Sequence, residues 1–394
     1  MEADALSESA RCEIGVDRGT HPPMAYLVVV RKGPTWELSD MEQFCRLLSR
    51  RFIGEVWAHG SYEVDTVIGR MRLRVVDEQL GQNTTNRVRF IRAIRRWVEQ
   101  LRSARPPRLV FVALNPFMSG LIALYAAKRA HGTLICELNG VYASRHNTAN
   151  TRLALLRPAR VLARRLVGSY VLNRASGIRL LFADQLRDFI RLPRGIPARQ
   201  FFAMPNLESF YPGAEERIIL GAGFPLRTKG FDLLCQAFKK IASDYSQWKL
   251  VLIGHGIPEE VRAGGFEHPR IETHPGLKEP QVAEWMARCA IFVLPSRTEG
   301  MGKVLLESGA AGKCRVATRV DGIPTVVEDG VDGLLVEPEN VEELAAALER
   351  LMGDPGLRQR LGDAAKRRIE REFSAEAYVN HYGELVAAAL RHKE

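Results

Sequence analysis

Residues Ile291 to Gly312 read IFVLPSRTEGMGKVLLESGAAG, and the pattern of this stretch decides the fold. Ile291-Phe292-Val293-Leu294 is a short unbroken apolar run, as expected of a strand covered on both faces. Pro295 to Thr298 ends the run. Glu299-Gly300-Met301-Gly302 then turns the backbone into a helix with Val304, Leu305 and Leu306 on its apolar face, and Gly312 stops it. Similar alternation of strands and helices runs through both halves of the chain, which predicts an α/β protein of two doubly wound parallel domains.

The turn between that strand and helix is where chemistry is expected. A helix begins with N–H groups that lack backbone partners and with a partial positive charge, so it attracts anions. Gly300 and Gly302 allow a ligand to approach the backbone closely. Glu299 lies before the helix and Glu307 within it; with the helix starting near Gly302, Glu307 falls about one to one and a half turns in. One carboxylate then stands at the reacting end of a ligand and the other deeper in the cleft, and both accept hydrogen bonds from hydroxyl groups. The competing explanation for each glutamate is ordinary: a helix dipole favours acids near its start, and a helical glutamate is usually solvated.

This segment resembles the signature of the retaining GT-B-fold glycosyltransferases of family 4, with their Glu-x7-Glu motif. The likeness continues through Ala317 to Pro324, Val327 to Gly330 and Gly333 to Val336. Upstream, Gly221-Ala222-Gly223 with Lys229-Gly230 resembles the family's phosphate-binding loop. It covers the chain from about residue 215 onward, while the first half is similar only in outline. The resemblance implies a GT-B fold in which a nucleotide sugar binds the second domain and the acceptor the first. It also implies a donor site made of Gly223, Arg227, Lys229, His274, Gly300, Met301, Gly302, Lys303, Val304 and Glu307, with Glu299 and Lys229 at the reacting centre. One departure is plain: the family carries an arginine directly after the second glycine, and here Phe224 stands there. Arg227 is the nearby cation, but a planar guanidinium fork depends on placement in a way that a lysine does not. His274 enters through a loop expected near the base, where backbone groups usually do the reading.

With 394 residues, 46% of them hydrophobic and 26% charged, the composition is that of a globular chain with two domains. The six cysteines are scattered without a Cys-x-x-Cys pair, consistent with a reducing compartment. No ligand-spaced histidine cluster and no Asp-x-Asp occurs, so no metal and no cofactor beyond the sugar nucleotide is expected. The chain opens without a signal-peptide pattern, which gives a cytoplasmic expectation. The net charge of +10 and a pI near 9.5 call for an acidic partner surface.

The domain reading is a loose arm over 1–22, an acceptor domain over 23–207, a donor domain over 208–374, and a last helix over 375–394 that crosses back. In the first domain, strands are expected at Ala25–Val30, Glu55–Ala58, Arg72–Val76, Leu109–Ala113, Leu134–Leu138 and Leu180–Ala183. The family's glycine-rich acceptor loop is represented only by Gly33. Asn139 occupies the position where many members carry a histidine facing the transferred sugar. It either donates a hydrogen bond to a hydroxyl or is a turn asparagine chosen for its backbone tolerance. Arg145 to Arg199 is strongly basic, with leucines interleaved. Such a helix lies on an anionic membrane, on the inner face of the plasma membrane here, or packs its apolar stripe on the core and leaves the arginines solvated. No nucleic-acid motif accompanies the charge.

The expected activity is transfer of a hexose from a UDP- or GDP-sugar to a glycan, lipid-linked or small-molecule acceptor, with retention and without metal, in bacterial polysaccharide or glycoconjugate synthesis. The alternative is a GT-B-like subunit that binds nucleotide sugars or glycans without transferring them, favoured by Phe224, Asn139 and the single glycine of the first loop.

Overall fold

The computed structural model describes residues 23–31, 38–60, 63–77, 84–141, 157–190, 195–202 and 207–393. Gly33, residues 1–22, residues 142–156 of the basic region and the segment 203–206 lie outside them.

Two parallel sheets account for the strands. The first has eight strands in the order β3-β4-β2-β1-β5-β6-β7-β8: β1 Tyr26–Val30, β2 Ile53–Gly60, β3 Val64–Ile68, β4 Met71–Asp77, β5 Leu109–Ala113, β6 Thr133–Glu137, β7 Gly177–Leu180 and β8 Ala198–Gln200. All its pairings are parallel except β3 with β4. The second has six strands in the order β11-β10-β9-β12-β13-β14: β9 Ile218–Ala222, β10 Lys249–Ile253, β11 Ile271–His274, β12 Ile291–Leu294, β13 Cys314–Thr318 and β14 Leu334–Val336.

Helices cover both faces of both sheets. On the first sheet, α1 (Leu38–Leu48) packs on one face through Phe44, Cys45 and Leu48. The helices α2 (Thr84–Ala104), α3 (Met118–Arg129) and α4 (Arg157–Leu172) pack side by side on the other. The second sheet carries α5 (Phe231–Ile241), α6 (Ile257–Ala263), α7 (Glu279–Arg288), α8 (Lys303–Ala310), the short α9 (Ile323–Val326), α10 (Val341–Gly353) and α11 (Pro355–Glu372). Ser374 accepts a hydrogen bond from the Ala377 amide at 3.2 Å and so caps α12, Ala375–Lys393. This last helix leaves the second domain and buries Tyr378, Val379, Tyr382, Leu385 and Val386 beside α1 on the first sheet.

Four elements differ from the sequence expectation. The strand expected at Leu180–Ala183 is β7, Gly177–Leu180, and residues Ala183–Asp188 form a 3-10 turn. Arg179 explains the shift: it is a strand residue whose charge is buried against Glu137 at 2.8 Å. The edge strand β3 and the three-residue β8 were not expected, because both are largely exposed and lack an apolar run. The helix α6 was missed as well.

Candidate active site

In the second sheet the chain leaves β9 toward β10 on one side and returns to β12 on the other, so β9 and β12 are neighbours, pairing Ile219 with Ile291 and Leu220 with Phe292. The crevice beyond the carboxyl ends of such a strand pair is the usual ligand position in a doubly wound sheet. The two loops that leave these ends, 223–230 and 295–302, form the site.

The loops touch backbone to backbone. Gly230 has a φ of 69°, and a Cβ there would stand 1.9 Å from the Pro295 carbonyl oxygen, so no side chain fits. Arg297 fastens the junction: its amide donates to the Thr228 carbonyl at 3.0 Å, and its guanidinium donates to the Arg227 carbonyl, to both oxygens of Asp232 (2.7 and 3.0 Å) and to Glu339. The Lys229 chain lies across Gly223, whose absent Cβ would meet Lys229 Cε at 3.0 Å. The ammonium reaches Glu299 Oε2 at 2.5 Å, with both side chains mostly shielded from solvent. Arg227 is exposed, and Lys229 is the cation that faces Glu299.

Glu299 is held from the other side by β13's following loop. Asp321 accepts from Thr298 Oγ1 at 2.7 Å and from the Glu299 amide at 2.9 Å. The Gly322 amide donates to the Glu299 carbonyl at 3.3 Å. Gly302, with a φ of 71°, is the N-cap of α8 and offers no side chain to its first turn. Met301 is buried beneath the turn. The helix begins at Lys303, so Glu307 follows one turn later. It is 5% exposed, and burial pushes its pKa up, with Lys303, 3.3 Å away, opposing the shift. Val304 is partly buried in the same turn. The result is a shielded cation, a carboxylate paired to it, an uncapped helix start and a second, buried carboxylate. A diphosphate and a hydroxyl-rich ligand have the chemistry to satisfy these groups.

Across the crevice, a Cβ on Gly300 would lie 3.5 Å from Leu181 and 3.9 Å from Gly140, both of the first domain. Asn139 is therefore near the crevice, but its carboxamide is already committed. Its oxygen accepts from Arg179 at 2.5 Å, and its nitrogen donates to the Leu114 carbonyl at 2.9 Å and to Glu137 at 3.0 Å. These bonds tie Asn139 to the first sheet, as its explanation as a structural asparagine expects. His274 is the last residue of β11. Its Nε2 lies 2.7 Å from Glu272, and its ring rests on Trp285 with centroids 5.1 Å apart. Alternation along β11 places His274 and Glu272 on one face, while the following loop is reached by a different imidazole.

That imidazole is His255, which sequence reasoning passed over. Its ring packs where a Gly276 side chain would stand, 2.4 Å from the absent Cβ, and meets the edge of Phe224 at 5.2 Å. Phe224 itself is 55% exposed. The available signal was position: His255 follows the end of β10, next to β9. Arg297 and Asp321 were also missed; each acts through contacts that only the folded chain creates.

Residues 216–354 match the family model described as glycosyl transferases group 1. An uncharacterized glycosyltransferase of Methanocaldococcus jannaschii is 33% identical over 179 residues, 44% of this chain and 49% of that protein. The chain spans between a quarter and a half of the length of the first curated relatives it matches. Among solved structures, sucrose-phosphate synthase of Thermosynechococcus elongatus superposes with a TM-score of 0.70 at 19% identity, covering 92% of this chain and 98% of that one. HepE of Anabaena, solved in complex with UDP-glucose, gives 0.68 at 14% identity, covering 92% and 99%. The fold is GT-B: two parallel-sheet α/β domains facing across a crevice.

Proposed function

We propose that this chain is a retaining hexosyltransferase that moves a sugar from a UDP- or GDP-sugar to a glycan, lipid-linked or small-molecule acceptor, in bacterial polysaccharide or glycoconjugate synthesis. The observation that carries the reading is the Lys229–Glu299 ion pair at the adjoining mouths of β9 and β12, with Glu307 buried one helical turn beyond it. The similarity of residues 216–354 to the group 1 family supports it, as does the UDP-glucose held by HepE.

In this reading the donor diphosphate takes Lys229 as its counter-ion and rests on the amides of Gly300, Met301, Gly302 and Lys303. Glu299, released from Lys229, accepts a hydrogen bond from a sugar hydroxyl beside the anomeric carbon. Glu307 accepts from the ribose diol. The acceptor oxygen attacks the anomeric carbon on the face from which the diphosphate departs. The bond from that carbon to the phosphate oxygen breaks, the glycosidic bond forms, and the acceptor proton passes to the leaving diphosphate. Preformed charge at the leaving group is the main source of rate. Lys229 and the α8 start supply it, and the proposal needs no metal.

Transfer or donor hydrolysis, measured with purified chain and a panel of UDP- and GDP-sugars, tests the proposal. Glu299→Ala and Lys229→Ala are expected to abolish turnover. Full activity in both would remove the site assignment.

A second reading, a subunit that binds nucleotide sugars without transferring them, is favoured by Phe224 in the position where the resemblance expects arginine. It predicts a thermal shift with a UDP-sugar but no release of nucleoside diphosphate over a long incubation.

A further inference from the structure

The positive charge of this chain is concentrated on one layer. The helices α2, α3 and α4 lie side by side on one face of the first sheet, with Ile94, Val98, Leu101, Ala123, Leu124, Ala127, Val171 and Leu172 turned inward. Together they contain twelve arginines and lysines and a single acid, Glu99. Their net +11 exceeds the +10 of the whole chain, so the remainder is close to neutral. Arg92, Arg95, Arg96, Arg102, Lys128, Arg129 and Arg164 are all exposed.

The same layer shows solvent an apolar stripe. Leu162 is 53% exposed, Leu166 54% and Tyr170 45%. They follow one another at four-residue intervals, so they share one face of α4. Arg174 stacks on Tyr170 at 3.9 Å, and Arg164 lies 5.8 Å from the Phe117 ring at the start of α3. On α3, Met118 and Tyr125 are also exposed, seven residues apart on one face. Core packing therefore does not account for the outer leucines. Among the described residues no helix is long and apolar enough to cross a membrane.

We propose that the outer face of α2, α3 and α4 docks on an anionic phospholipid bilayer, with Leu162, Leu166 and Tyr170 entering the headgroup layer and the flanking arginines pairing with lipid phosphates. A helix with leucine and tyrosine on one face and arginines beside them is built to lie in that plane. These helices cover a face of the first sheet, whereas the crevice lies beyond the carboxyl ends of the strands. The inference deepens the proposed transfer by placing its acceptor at a membrane, but it is tested without donor, so the two fail separately.

Sedimentation of the full chain with vesicles of phosphatidylcholine, with and without roughly 30% phosphatidylglycerol, decides it. Binding is expected to the anionic vesicles at least about tenfold more tightly, and to fall steeply as salt rises toward about 0.5 M. The triple variant Leu162→Ser, Leu166→Ser, Tyr170→Ser is expected to lose at least about tenfold in binding with an unchanged melting curve, since these side chains are outside the core. Arg95→Gln, Arg96→Gln, Arg164→Gln is expected to lose about a hundredfold. Equal binding to both vesicles, no binding to either, or wild-type binding by the serine variant overturns the proposal. So does a dimer that dissociates in the serine variant while wild-type chain ignores vesicles, or a short DNA duplex bound more tightly than the anionic vesicles.

Discussion

Glu307 is a carboxylate in a place that disfavours its charge. Burial raises its pKa, and the Lys303 ammonium offsets only part of this. The native chain thus holds this proton more tightly than the unfolded chain does. Between the ordinary glutamate value and the raised one, stability falls as pH rises, and above that window the cost is fully present. Glu307→Gln removes it. Its melting temperature is expected to exceed wild type by about 2 °C at neutral pH and to match it near pH 4, while binding of a UDP-sugar is weakened. Calorimetry at the two pH values checks the first part and titration the second. Lys229→Ala is expected to cost about tenfold to a hundredfold in donor affinity, the range for a charged hydrogen bond. At this scale the sequence was readable where a residue type serves one local purpose. Lys229, Glu299 and Glu307 sit in a strand-turn-helix pattern. Asn139 was ambiguous because its partners, Arg179 and Glu137, are reached only through the sheet.

At the scale of elements, strands buried on both faces were legible because nothing polar interrupts them. The strands β5 and β12 have the bounds expected from their apolar runs, and every residue of both is buried. The strand β3 has no such signature: its central residues, Asp65, Thr66 and Val67, are exposed along the sheet edge. The strand β7 was shifted because it carries Arg179, whose cost of burial is met by Glu137, 42 residues away in sequence. The loops 223–230 and 295–302 depend on a contact without side chains at Gly230. Gly230→Ala adds a Cβ against the Pro295 carbonyl and forces a left-handed backbone on alanine. It is expected to lower the melting temperature and to weaken donor binding, by separating the loops. A variant that melts and binds like wild type would show that the two loops need not touch.

At the scale of the molecule, the domains are joined at more than the crevice. Leu181 and Phe182 pack into the core of the second domain, and Phe202 meets Phe373 at 4.6 Å. The helix α12 returns to the first sheet, where Tyr382 donates to buried Glu137 at 2.8 Å, and Glu137 also accepts from Arg179 and Asn139. Tyr382→Phe leaves this carboxylate one donor short and is expected to destabilise the chain by about 1–3 kcal/mol, read by urea unfolding. The crossing helix was expected, but no sequence pattern announced the Tyr382–Glu137 bond, whose partners are 245 residues apart. The central claim is that the mouths of β9 and β12 grip a nucleotide sugar. A crystal of the full chain soaked with UDP-glucose tests it most directly. The account predicts the diphosphate against Lys229 and the first turn of α8, the ribose hydroxyls on Glu307, and the Lys229–Glu299 pair opened. A ligand lodged elsewhere, or that pair intact with the ligand bound, would contradict it.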